Sequence, residues 1–120
     1  MKRILPILFA LIMFASAFGH AFSPEFYSPM IPEFIPELLA NVLSVIAEAG
    51  IGILLLVPKY RRLGGLGFML LMIAFLPIHT WDAFRENPAI GPMPAPVIRL
   101  VIQFLLIYAG YWIYKSHPKT

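Results

Sequence analysis

Four stretches of this chain are too long and too apolar for the loops of a water-soluble domain: 4–22, 37–57, 66–81 and 97–114. A helix needs about 20 mostly apolar residues to cross a bilayer. Helices are the expected spanning form, because hydrocarbon offers an unpaired backbone group no other partner. The runs do not alternate polar and apolar residues, which excludes a barrel. With 60% hydrophobic and 12% charged residues, the chain is far from the ordinary soluble balance, about 45–50% and 25%. The expected fold is all-α, an integral membrane four-helix bundle in a single domain over 1–120.

The basic residues fall on alternate connections. Lys2 and Arg3 precede the first run, Lys59, Arg61 and Arg62 lie between the second and third, and Lys115 and Lys119 follow the fourth. Arg85 and Arg99 lie toward the opposite side, with Glu25, Glu33, Glu37, Asp82 and Glu86. The positive-inside rule places both termini and the "PKYRR" turn in the cytoplasm, in a multi-pass inner (cytoplasmic) membrane protein. The net charge of +3 is thus a topology signal and not the footprint of nucleic-acid binding. Cysteine is absent, which removes disulfides and thiol redox chemistry. "MKR" and the "ASA" at 15–17 have the form of the flanks of a secretory signal. The apolar run continues through Phe22, however, so the first segment reads as a retained span.

Prolines punctuate the chain. Pro24, Pro29, Pro32 and Pro36 exclude one long helix after the first span and leave short turns on the outer surface. Pro36 suits the start of the second span, with Glu37 favourable at the positive helix end. Pro58 ends that span, and the short turn "PKYRRLGG" makes spans two and three antiparallel neighbours. Pro77 should kink the third span, and "NPAIGPMPAP" is a turn-rich connector.

Polar residues inside the spans carry the functional question. Asn41, Ser44, Glu48 and Gly52 share one helical face, as do Arg99, Gln103, Gly110 and Tyr114. Ser16 and His20 lie one turn apart on the first span, and the third offers His79 and Asp82. Glu48 falls about 16 Å into its span by helix rise, where a charged acid costs about 2.5–3.5 kcal/mol on insertion scales. The expected solution is a neutral Glu48 bonded to Gln103, Ser44 or water, with Arg99 paired to Asp82 nearer the surface. Structural readings stand beside the functional ones. Glu48 can be interhelical glue, Arg99 can snorkel, and His79 with Trp81 can be interface residues. The methionines read as packing.

The same polar residues above an apolar bundle suit a quinone head group, which needs hydrogen-bond donors beside a tail groove. A haem or transition metal lacks any ligand motif of diagnostic spacing. No Ser–His–Asp, HExxH or phosphate loop supports autonomous catalysis.

The order "GHAFSPEFYSPMIP", "AEAGIGILLLVPKYRRLGGLG", "FLPIH" and "RLVIQFLLIYAGYW" resembles the DoxX-like small membrane proteins across nearly the whole chain. The most specific piece is Glu48 with Gly50, Gly52, Pro58, Arg61 and Arg62. His79 departs from the resemblance, standing where the family usually has Asn. The resemblance implies a four-helix membrane bundle that serves as an accessory subunit of a membrane oxidoreductase system. His20, Glu48, Arg99 and Gln103 would then bind a quinone or small ligand, and Tyr27, Asn41, Ser44, His79 and Asp82 would line the pocket. The alternative is a non-enzymatic interaction or assembly factor that stabilises or recruits another membrane protein. Both readings place the chain in a lipid bilayer with a membrane or redox protein partner, and both leave oligomerisation open.

Overall fold

The computed structural model describes residues 2–118. Four helices account for most of them: α1 (Ile4–Phe22), α2 (Glu37–Leu56), α3 (Arg61–Ala83) and α4 (Ala95–Ser116). Three short 3₁₀ turns, Pro24–Phe26, Ser28–Met30 and Pro58–Tyr60, lie in the first two connections. The described residues contain no strand. All four helices are long and apolar enough to cross a membrane, the third taken together with its 3₁₀ lead-in.

Neighbouring helices run antiparallel. His20 near the end of α1 meets Asn41 near the start of α2, and Arg99 near the start of α4 meets Asp82 near the end of α3. The chain therefore goes up and down twice. One end of the bundle carries the start of α1, the end of α4 and the α2–α3 turn, and the other carries the two longer loops. The closest pairs are α1 with α2 and α3 with α4, and α2 against α3 joins them. Phe9 of α1 also stacks on Phe68 of α3 with ring centroids 4.6 Å apart. Around that stack Ala10, Met13, Leu55, Met72 and Ile113 form a core toward the α2–α3 turn. Leu43, Ile46, Phe104 and Leu105 are exposed in the isolated chain, as expected of helix faces that lipid covers.

Small residues allow the α3–α4 seam. A methyl group at Gly110 would lie 2.9 Å from the Met69 backbone nitrogen, and one at Gly65 would lie 2.7 Å from that of Tyr114. Neither helix can come this close with a side chain in the way. This explains why α3 begins at Arg61 and not near 66. Gly64 and Gly65 look like a turn in the sequence, but tight packing offsets their poor helix propensity.

Arg61 and Arg62, read as topology signals, also cap helices. Arg61 is buried and donates through Nε to the Leu55 carbonyl at 3.0 Å and through Nη2 to that of Leu56 at 3.3 Å. Arg62 donates to the Tyr114 carbonyl at 3.1 Å and lies 4.0 Å over the Tyr114 ring. Cations placed on the last carbonyls of α2 and α4 also complement the helix dipoles. Pro58 stops α2 by holding Val57 extended, at φ −81° and ψ 115°. α3 continues through Pro77 without a break.

Candidate functional site

The polar residues of the spans form two networks at the loop end, one on the α1–α2 pair and one on the α3–α4 pair. The first centres on His20 in the last turn of α1. Its Nδ1 lies 2.7 Å from Asn41 Oδ1, and the Asn41 amide nitrogen donates to the Glu37 carbonyl at 2.9 Å. On its other side, His20 Nε2 faces Glu48 Oε1 at 3.7 Å. Glu48 is 1% exposed, and its Oε2 has no hydrogen-bond partner within the protein. Ser16, one turn before His20, faces the same carboxyl. Tyr27 covers the imidazole, with ring centroids 3.7 Å apart and planes 18° from parallel. Gly19 makes room for it, since a methyl group there would meet the Tyr27 hydroxyl at 2.6 Å.

A cleft of about 460 Å³ runs beside this network between the end of α1 and the start of α2. Leu38, Val42, Val45 and Ile46 supply its apolar wall, and His20 and Asn41 bring polar atoms to it. The exposure of Leu38, Val42 and Ile46 shows that it opens on the outer face of the helix pair. An apolar groove with a few convergent polar groups is the usual form of a small-molecule site.

The second network surrounds Asp82, which is 0% exposed. Arg99 Nη2 donates to it at 2.8 Å, Arg85 Nη1 at 3.0 Å, and the backbone N–H groups of Ala89 and Ile90 at 2.8 and 3.4 Å. Asp82 thus ties the end of α3, the following loop and the start of α4 together. Arg85 also donates to the Pro29 carbonyl at 2.8 Å and stacks on Trp81 at 4.5 Å. Ser28 donates to Glu37 at 3.0 Å, so the loop between α1 and α2 is strapped from both sides. Arg99 Nε and Nη1 and His79 Nδ1 are buried without a partner in the protein.

The structure brings His20, Tyr27, Asn41 and Glu48 together, and separately His79, Asp82 and Arg99. The expected Arg99–Asp82 pair is present. The expected Glu48–Gln103 bond is not formed: Gln103 Nε2 donates to the Met72 carbonyl at 2.7 Å, within the α3–α4 seam. Ser44 is half-buried and makes no hydrogen bond to Glu48. Of the expected site residues, His20 and Asn41 line the α1–α2 cleft, whereas Tyr27, Ser44, Glu48, His79, Asp82, Arg99 and Gln103 do not. Sequence reasoning missed Arg85, whose signal was its position one helical turn beyond Asp82. It also missed Asn41 as the partner of His20, a pairing across a loop that no spacing rule encodes. Among the described residues, no three His, Cys, Asp or Glu side chains are grouped so that they could hold a metal ion.

This fold and site define a four-helix protein with a buried acid–imidazole pair beside an apolar cleft. The sequence model of a family described as a domain of unknown function, DUF8561, matches residues 9–114, and the chain belongs to that family. No curated protein and no solved structure matches it.

Proposed function

We propose that this chain is a DoxX-like multi-pass protein of the cytoplasmic membrane, with both termini and the Lys59–Arg62 turn in the cytoplasm. It acts as a non-catalytic accessory subunit of a membrane oxidoreductase system and holds the head group of a quinone or similar lipid-soluble ring in the α1–α2 cleft. The observation that carries this reading is the position of His20, at once a wall of the cleft and the neighbour of the buried Glu48. The apolar wall suits the tail, and the polar atoms suit a ring oxygen. His20 contacts the ligand from the cleft wall with the buried Glu48 behind it as a proton partner, Asn41 and Tyr27 hold His20, and Arg99, Asp82 and Gln103 keep the α3–α4 half in place. Alternate basic connections support the orientation.

The test is mass spectrometry of the chain purified gently from native membranes, reading bound quinones and co-purifying proteins together. Quinone recovered with the wild type and lost from His20→Ala supports the reading. Equal recovery from both refutes it.

A second reading has its own observation. Phe26, Phe34 and Phe84 are 67%, 82% and 85% exposed at the loop end, a surface suited to another membrane protein. On this reading the chain is an interaction or assembly factor. Replacing the three rings by Ser would then abolish partner recovery while leaving the cleft intact.

A further inference from the structure

Asn41 decides which nitrogen of His20 carries hydrogen. The Glu37 carbonyl can only accept, so the Asn41 atom 2.9 Å from it is the amide nitrogen, and the amide oxygen faces the imidazole. That oxygen lies 2.7 Å from His20 Nδ1 and can only accept, so Nδ1 is protonated. Nε2 is left facing Glu48 Oε1 at 3.7 Å.

The protons of this pair can then be counted. With none, a bare carboxylate faces the imidazole lone pair. With two, an imidazolium faces a neutral acid. Either state leaves one uncompensated charge beside a side chain that is 1% exposed, which apolar surroundings penalise. With one, the pair is a neutral acid and a neutral base, or an ion pair. We propose that His20, on the wall of the α1–α2 cleft, and Glu48, buried behind it, form a one-proton site, and that Asn41 is the positioning residue that reserves Nε2 for that proton.

The site also has a ligand preference. The 3.7 Å gap is too long for a direct hydrogen bond, and Glu48 Oε2 has no partner. An oxygen that enters past His20 from the cleft, and that both accepts and donates, completes it, as in a hydroquinone, phenol or alcohol. Such a hydroxyl accepts from the protonated Glu48 and donates its own hydrogen to Nε2. Passing both hydrogens along moves one proton from Glu48 to His20 and leaves the ligand unchanged. This deepens the ligand reading above, but the proton count is tested without any ligand.

The test is nitrogen-15 NMR of the full chain in lipid nanodiscs, with labelled histidine and with His79→Gln and His117→Gln so that His20 alone reports. The expected spectrum has Nδ1 in the N–H range. Glu48→Gln should keep that proton and show Nε2 bare. Asn41→Leu should move the ring toward the Nε2–H form that free neutral imidazole prefers. A bare Nδ1 in the otherwise unaltered chain, or an Nε2 proton that survives in Glu48→Gln, overturns the proposal. Those two spectra decide the matter if Asn41→Leu does not fold.

Discussion

Asp82→Ala is the substitution with the largest cost that can be worked from the geometry. Asp82 is fully buried and accepts four donors, two guanidinium N–H groups and two backbone N–H groups. Without it, the Arg99 side chain, 12% exposed, keeps only the 3.4 Å contact from Nη2 to the His79 carbonyl. Removing one partner of a buried ion pair costs about 3–5 kcal/mol, because the other charge stays buried and unpaired. The Ala89 amide loses its 2.8 Å acceptor as well, but water can reach the loop end, and the two losses are not additive. The expected destabilisation is about 4 kcal/mol. Arg85 adds little, since its side chain is 34% exposed. The assay is reversible unfolding in mixed micelles, followed by far-ultraviolet circular dichroism. A double-mutant cycle separates the charge effect from simple loss of packing: Asp82→Leu with Arg99→Met should lie within about 2 kcal/mol of wild type, since apolar replacement of a buried pair is often close to neutral. An Asp82→Ala cost below about 1 kcal/mol, or a double variant no more stable than Asp82→Leu alone, would refute the reasoning.

Other substitutions test other parts of the structure. Gly110→Leu should force α3 and α4 apart and cost about 1–3 kcal/mol or more, because the atoms it meets are Met69 backbone; unfolding in the same micelles measures it. Gly50→Ala should instead stabilise the chain by roughly 0.5–1 kcal/mol, since nothing lies within 4 Å of the added methyl. Arg61→Met should cost about 1.5–3 kcal/mol through the two α2 carbonyls it uncaps, and hydrogen exchange should rise at the end of α2. Glu48→Gln should preserve fold and stability within about 1 kcal/mol while changing ligand affinity, because the amide fills the same space and can donate to Nε2; circular dichroism and a binding titration read the two effects separately.

Much of the fold was legible because hydrocarbon enforces it. A run such as 4–22 has few alternatives to a helix, and α1 spans those residues as read. Pro58 marked the end of α2 for a local reason, its restriction of Val57. The start of α3 was misread because Gly64 and Gly65 carry two meanings, turn and close contact, and the facing helix decides between them. The same holds for the site. One-face spacing brought Asn41 and Glu48 together on α2, and helix position put Arg99 near Asp82. The choice between His20 and Gln103 as the neighbour of Glu48 depended on which helices are adjacent. α2 lies against α1 and α3, and Gln103 on α4 is engaged by the Met72 carbonyl. Pairwise helix order is not written in the period of any single helix.

The most direct test of the account is calorimetric titration of a short-tailed benzohydroquinone, kept reduced, into the chain in lipid nanodiscs, comparing wild type with His20→Ala, both checked for fold by circular dichroism. If the α1–α2 cleft holds the head group through His20, wild type binds saturably and His20→Ala weakens binding at least about tenfold, the value of one good hydrogen bond to a charged or strongly polar group. Equal affinity in the two proteins, or no saturable binding to either, would contradict the assignment of the cleft as a quinone site.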